Sequence, residues 1–188
     1  ITHQMDMIFT HFGVSGPAAL RCSQFIFKEQ KSQKRKDISM MIDFYPDVKK
    51  GALQQELDAL LKDSPNKSIK NILKGMMQDR LAEFLIEYND IDGDATSHHL
   101  KNEDKQKIVE FLKGFTFKVD GTQSIEKAFV TGGGVNLKEI TPQTMESRMV
   151  EGLYFAGEVL DIHGYTGGYN ITSALVTGYV AGHSAGMK

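Results

Sequence analysis

Residues 1–46 show the two-residue apolar spacing of strands on either side of one helical stretch. Residues 5–12 are apolar with interspersed polar positions and precede a glycine, which predicts a short strand. Ser15 can accept a free backbone N–H at a helix start, so a helix is predicted over residues 18–27. Residues 37–45 then alternate apolar and polar side chains, which predicts a second strand that ends before a proline.

Residues 47–113 change to the spacing of three to four residues that is typical of amphipathic helices. The apolar positions of this kind are Leu53, Leu57, Leu60, Leu61, Ile69, Ile72, Leu73, Met76 and Met77. The spacing continues over residues 81–86, and a last helix is predicted over residues 103–112. We therefore predict a helical subdomain over residues 47–113.

Residues 114–130 return to strand spacing. Phe115, Phe117 and Val119 alternate with polar residues, and a further strand is predicted over residues 125–131. Because strand spacing lies on both sides of the helical subdomain, the helices are interpreted as an insertion between strands of one sheet or barrel. The chain is thus predicted to be of the α+β class.

The composition is that of a folded chain with one or two domains. Of its 188 residues, 40% are hydrophobic and 24% are charged, which is ordinary for a globular protein. The formal net charge of −2 provides no basic surface for a phosphate backbone, which predicts no nucleic-acid partner. Cys22 is the only cysteine, so no internal disulfide can form and a cytoplasmic location is predicted.

Two further features of the sequence bear on its context. No apolar run approaches the ~20 residues of a membrane-spanning helix, so no membrane partner is predicted. The chain begins with Ile1 in sequence that is already patterned like a folded protein. We interpret it as a fragment of a longer protein.

Residues 152–182 carry the pattern most suggestive of chemistry. A short apolar run at residues 153–156 predicts a strand that ends at Gly157 and Glu158, and a glycine-rich loop leads to a helix starting near Asn170. Glycines let a ligand approach the backbone, and a helix N-terminus carries partial positive charge, so this pattern suits a planar ligand with negative charge. The alternative is a glycine-rich connection with a solvated glutamate. The helix is predicted to bury an apolar stripe of Ile171, Ala174, Leu175 and Val176.

Three motifs make the chain resemble a known family. They read FTHFGVSGPAAL, VTGGGVNLKEITPQTMES and GLYFAGEVLDIHGYTGGYN, and they cover almost the whole chain in matching order. The sequence resembles bacterial NAD(P)/FAD-dependent, aminoacetone-oxidase-like flavoproteins, whose flavin domain is of the glutathione-reductase and fumarate-reductase type. The resemblance implies a partial FAD-binding domain at residues 131–188. It also implies a β-barrel-like inserted domain, formed by residues 1–46 and the return strands at 114–130, that carries the helical subdomain.

The same resemblance implies the residues that hold the cofactor. They are Gly132 and Gly133 beneath the flavin, Gly157 and Glu158 as the flavin-contacting pair, and Gly167, Gly168, Tyr169 and Asn170 along the pyrimidine edge of the ring. The family's N-terminal GxGxxG turn is not in this sequence, and the glycine run at residues 132–134 lacks its spacing. The 188 residues alone are therefore expected to hold no FAD. The missing N-terminal part of the same chain is the expected partner.

His11 and His163 are the candidates for catalytic proton transfer. His163 lies in the glycine-rich loop, whereas His11 lies between a predicted strand and a predicted helix. The alternative for each is a structural or solvated histidine. His98 and His99 have no third ligand nearby in the sequence, so no metal site is predicted.

Two functions remain open on the sequence. The first is flavin-dependent hydride chemistry on an unidentified small-molecule substrate, with NAD(P)H as the reductant. The second is a binding module, in which the methionine-containing helical insertion recognises a partner and the flavin is structural or regulatory.

Overall fold

The computed structural model describes residues 1–33, 37–164 and 168–187. The described part of the chain contains six α-helices and six short strands. The helices are α1 (Gly16–Gln33), α2 (Lys50–Asp63), α3 (Ile69–Met76), α4 (Asp79–Tyr88), α5 (Asn102–Gly114) and α6 (Tyr169–Gly186). The strands are β1 (Ile8–Thr10), β2 (Gly13–Ser15), β3 (Ile38–Ile42), β4 (Phe115–Val119), β5 (Ile140–Thr141) and β6 (Glu146–Ser147).

The chain divides into two compact units, which are described separately. One unit comprises residues 1–36 and 120–188, and the other comprises residues 37–119. The described strands form three separate two-stranded antiparallel sheets, β1 with β2, β3 with β4 and β5 with β6. The predicted mixture of helices and strands is confirmed. Among the described helices, none combines the length and apolarity needed to cross a membrane.

The unit at residues 37–119 folds around the helices that apolar spacing predicts. Its fully buried side chains are Leu53, Leu57, Ile69, Leu73, Leu85, Ile108, Val109 and Leu112. They come from all four helices α2 to α5, so each helix contributes one apolar face to a shared core. β3 and β4 pair antiparallel with Ile42 opposite Phe115, which brings the two ends of the helical insertion together.

A half-buried lysine ties the end of β3 to α5. The Lys113 ammonium lies 2.7 Å from the Asp43 carboxylate and donates to the carbonyl oxygens of Tyr45 and Val48 at 2.8 and 2.7 Å. The Tyr45 hydroxyl in turn donates to the carbonyl oxygen of Met76 at 2.7 Å. The loop after β3 is therefore fixed to helices on two sides.

In the other unit, β1 and β2 form a tight hairpin that leads directly into α1. The predicted N-terminal strand is shorter than residues 5–12, and the helix predicted over residues 18–27 is longer in the structure. Gly16 begins the helix with φ +88°, and a Cβ there would lie 3.2 Å from the Asp6 carbonyl oxygen. Glycine thus permits the close turn between the hairpin and the helix.

The strand predicted over residues 125–131 is wrong. Residues Ile125–Lys127 form one 3-10 turn, and no strand is described between them and residue 131. Phe129 is 85% exposed, so within its own unit the apolar pattern has neither a pairing strand nor a surface to pack on. The strand predicted at residues 153–156 is reduced to an isolated bridge between Glu146 and Tyr154.

Candidate functional site

Two chain segments, residues 131–135 and 157–161, meet at an isolated parallel bridge between Val135 and Leu160, here called the crossing. The Val135 N–H donates to the Val159 carbonyl at 2.8 Å, and the Asp161 N–H donates to the Val135 carbonyl at 3.0 Å. Gly134 lies at this crossing with φ +149°, and a Cβ there would overlap the carbonyl oxygen of Val159. The last glycine of the run is thus required for the approach of the two backbones.

Two carboxylates brace the crossing. Oε1 of Glu158 accepts the Thr131 N–H at 3.1 Å, and Oδ1 of Asp161 accepts the Gly133 N–H at 3.1 Å. A phosphate-binding loop presents free backbone N–H groups to its ligand. Here two of the N–H groups are already bonded to carboxylates, which would repel a phosphate. This arrangement supports the interpretation that residues 132–134 are not a phosphate cradle.

Glu158 is exposed and lies in the 3-10 turn Gly157–Val159 rather than at a strand end. The predicted position at the end of a strand is therefore wrong. One of its carboxylate oxygens already accepts a hydrogen bond from the Thr131 N–H. Its contact with a flavin stays a prediction.

Three of the predicted glycines present open backbone. Gly133, Gly157 and Gly168 have φ values of +96°, +76° and +86°, and no heavy atom lies within 4 Å of the position that a Cβ would occupy. The Gly157 N–H donates to the Thr177 hydroxyl at 3.0 Å, which joins the 3-10 turn to α6. A side chain would fill each open face, so these glycines fit a flat ligand such as a flavin ring lying against the backbone.

The N-terminus of α6 is organised by Gly168 and Asn170. Gly168 precedes the helix in the left-handed conformation, and its carbonyl accepts the Thr172 N–H at 2.9 Å. The Asn170 amide bonds both backbone groups of Gly164, at 2.8 Å to the N–H and 3.2 Å to the carbonyl oxygen. The side chain of Asn170 thus ties Gly164 to the start of α6, while Tyr169 is 65% exposed. Gly167 lies outside the described residues.

The structure places the two candidate histidines in different surroundings. The His163 ring packs on Gly132, and its Nε2 lies 4.0 Å from Oδ1 of Asp161. His11 lies in the turn between β1 and β2 with its ring edge-on to Phe12 at 5.1 Å. No described contact joins His11 to the crossing segments, so His163 is the histidine that the structure associates with the predicted flavin loop.

The remaining candidates show structural roles in the described chain. Nδ1 of His98 and Nδ1 of His99 both lie within hydrogen-bond distance of the Thr96 hydroxyl, at 3.3 and 2.9 Å. Among the described residues, no group of three or more His, Cys, Asp or Glu side chains is arranged to hold a metal ion. Burial raises the pKa of the Cys22 thiol, which lowers its reactivity because the thiolate is the nucleophile.

Sequence reasoning missed three participants in this site, Thr131, Asp161 and Thr177. Each acts through a backbone hydrogen bond to a residue 20 to 28 positions away. Asp161 carried one signal, since an acidic residue three positions after Glu158 in a glycine-rich loop is a common backbone acceptor. Thr131 and Thr177 gave no such signal.

Comparison with known proteins finds a family model that matches most of this chain, and several bacterial relatives. Residues 1–130 match the family described as HI0933-like protein barrel and H2TH domain. A Haemophilus influenzae protein named ribosomal RNA dihydrouridine synthase is 34% identical over 174 residues, covering 93% of this chain and 40% of that protein. A Clostridium scindens protein named 3-dehydro-bile acid delta(4,6)-reductase is 30% identical over 183 residues, covering 97% of this chain and 44% of that protein.

An Escherichia coli protein, also named ribosomal RNA dihydrouridine synthase, is 37% identical over 165 residues, covering 88% of this chain and 38% of that protein. The chain thus spans about two fifths of the length of these relatives. Their names describe enzymes.

Proposed function

The chain belongs to the HI0933-like family, and from this we propose that it forms the flavin-facing C-terminal part of an FAD-dependent oxidoreductase. The observation that carries the proposal is the crossing of residues 131–135 and 157–161, with open backbone at Gly133 and Gly157 within it and at Gly168 before α6. The remainder of the FAD site would come from protein outside these 188 residues, because the sequence contains no GxGxxG turn.

The proposed reaction is reduction of a carbon–carbon double bond conjugated to a carbonyl group. Both kinds of relative carry names that describe such chemistry: a dihydrouridine is a uridine whose ring double bond is saturated, and a delta(4,6)-reductase acts on double bonds of a 3-oxo steroid. FAD, when reduced by NAD(P)H, supplies a hydride for this reaction. The carbonyl makes the β carbon of the substrate electrophilic.

The residues of this chain would position the flavin. Gly133 and Gly157 would admit the ring against the backbone, and the N-terminus of α6 at Gly168 would face the edge that becomes negative on reduction. Glu158 would hold the crossing through Thr131 and offer its second oxygen to a ribityl hydroxyl. Asn170 would fix the loop that precedes α6.

The substrate is proposed to be a small molecule rather than a nucleic acid. Two of the relatives are named for ribosomal RNA and one for a bile acid. The low net charge of −2 favours the smaller substrate. Oxidation of the reduced protein by ribosomal RNA would overturn this choice while leaving the flavin proposal intact.

The test uses the full-length gene product, purified and reconstituted with FAD. Its visible spectrum is recorded before and after addition of NADPH or NADH, and the reduced protein is then mixed without oxygen with 2-cyclohexenone, a 3-oxo-Δ4,6 steroid or ribosomal RNA. We expect a flavin spectrum that bleaches on reduction and returns with one of these acceptors. A folded protein that takes up no FAD contradicts the proposal.

A pair of glycine variants separates the flavin site from general backbone strain. Gly133→Val fills an open face of the crossing, whereas Gly152→Val is made at another glycine with positive φ, +77°, and no atom within 4 Å of its Cβ position. We expect Gly133→Val to weaken FAD retention at least about tenfold, equivalent to ~1.4 kcal/mol. Gly152→Val should retain FAD, and equal losses in the two variants would argue against a flavin over Gly133.

A further inference from the structure

The His163 ring packs on Gly132, which precedes the open backbone of Gly133. A Cβ on Gly132 would lie 3.2 Å from Cδ2 and 3.5 Å from Cγ of His163, so the ring packs closely on a residue that must be small. The neighbouring Gly133 is open. A planar ligand lying over Gly133 would therefore be next to the His163 imidazole.

The Asp161 carboxylate lies near this ring. Nε2 of His163 lies 4.0 Å from Oδ1 of Asp161, and the same oxygen is fixed by the Gly133 N–H at 3.1 Å. The other acidic group at the crossing, Glu158, is engaged with Thr131. The His163 side chain is 30% exposed, so its imidazole is accessible to a ligand at this place.

We propose that His163 is the proton donor to the substrate, with Asp161 and Gly132 as positioning residues; this role rests on the proposed enone reduction. Reduced flavin would supply the hydride for the new C–H bond at the β carbon, and the π electrons of the double bond would move into an enolate. A proton from the His163 imidazolium would then form the second C–H bond at the α carbon. The imidazole is left neutral and regains its proton from water, so atoms and charge balance.

The experiment compares His163→Gln with His183→Gln in the FAD-loaded full-length protein. His183 lies on α6 and stacks on Tyr179 at 6.0 Å, so its replacement is the matched control. Flavin is reduced without oxygen, and its reoxidation by 2-cyclohexenone and by the 3-oxo-Δ4,6 steroid is followed across the pH range in which imidazole titrates. Reoxidation by oxygen, which needs no proton delivery to an enone, is measured on the same samples.

We expect His163→Gln to slow reoxidation by the enone about a hundredfold or more and to remove its pH dependence in the imidazole range. Reoxidation by oxygen and FAD content should be unchanged, and Asp161→Asn should give a smaller loss. A readout independent of activity is modification by diethyl pyrocarbonate, mapped by mass spectrometry. The enone should protect His163 and leave the reaction of His183 unaltered.

The outcomes distinguish this inference from the function on which it rests. A protein that binds no FAD, or one that holds FAD but reduces neither enone, overturns the proposed reaction and this role together. A protein that reduces an enone equally fast and with the same pH profile after His163→Gln overturns only the role of His163.

Discussion

Glu158 accepts the backbone N–H of Thr131 at 3.1 Å, across 27 positions of the chain. This hydrogen bond and the one from Gly133 to Asp161 lie on either side of Gly132. The two carboxylates thus fix the glycine run where the backbones cross. Glu158, which is predicted from the sequence to contact flavin, therefore also has a structural role within the candidate site.

Two replacements of Glu158 should therefore separate its hydrogen bond to Thr131 from the effect of its negative charge on FAD binding. Glu158→Ala removes the acceptor for Thr131, and we expect about tenfold or greater loss of FAD affinity in the full-length protein. Glu158→Gln keeps an amide oxygen at the same place and should retain more of the affinity. Equilibrium dialysis of FAD measures both, and equal affinity of wild type and the alanine variant would remove Glu158 from the flavin site.

Gly134 should tolerate alanine less well than Gly133. Both have positive φ, which costs an alanine about 1–2 kcal/mol, but at Gly134 the methyl group would also overlap the Val159 carbonyl oxygen. We expect Gly134→Ala to lower stability by at least about 2 kcal/mol more than Gly133→Ala. Urea unfolding of the 188-residue chain, followed by circular dichroism, gives the comparison. Similar unfolding midpoints would show that the segments can separate at little cost.

The sequence predicts those parts of the fold that short-range spacing controls. Leu53, Leu57 and Leu61 are four residues apart, and all three lie on the buried face of α2. Local spacing is enough to predict such a helix, because a helix forms its backbone hydrogen bonds within its own segment. A strand depends on a partner elsewhere in the chain. The spacing at residues 125–131 is that of a strand, yet the described structure of its unit provides nothing for it to pair with.

The candidate site was predictable in position but not in its contacts. The glycines could be identified because glycine is required where φ is positive or backbones approach closely. The partners of Glu158 and Asp161 lie more than 25 positions away, and no local pattern encodes such pairs. The apolar stripe predicted to be buried on α6 is also wrong. Thr177 and Ala181 are the buried side chains of this helix, while Ile171 and Leu175 are 69% and 70% exposed.

Leu57 and Leu60 test the core of the unit at residues 37–119. Both lie on α2, but Leu57 is 1% exposed and Leu60 is 37% exposed. We expect Leu57→Ala to destabilise the protein by about 2–5 kcal/mol, because it leaves a cavity among α2, α3 and α5. Leu60→Ala should cost less than about 1 kcal/mol. Comparable costs for both, measured by urea unfolding, would contradict the described orientation of α2.

Lys113 should contribute far more to the stability of this unit than the exposed Lys118 does. Lys113→Met leaves the Asp43 carboxylate without its cation and removes the donor to two loop carbonyls, with only 16% of the lysine side chain exposed. We expect a loss of about 2–4 kcal/mol, mostly from polar groups left without a partner in a half-buried place. Lys118 lies 3.8 Å from Asp37, and both side chains are more than 80% exposed. Lys118→Met should therefore change stability by less than about 0.5 kcal/mol.

The double variant Asp43→Asn with Lys113→Met separates the charge pair from the carbonyl contacts. Removing both charges together should recover part of the loss, because no uncompensated carboxylate remains, while the carbonyl oxygens of Tyr45 and Val48 still lack their donor. Urea unfolding of the four proteins gives the coupling energy by a double-mutant cycle. If Lys113→Met unfolds at the wild-type midpoint, the lysine does not hold the loop after β3 in solution. The loop would then be attached by two other hydrogen bonds, from the Tyr45 hydroxyl to Met76 and from the Phe44 N–H to Leu112.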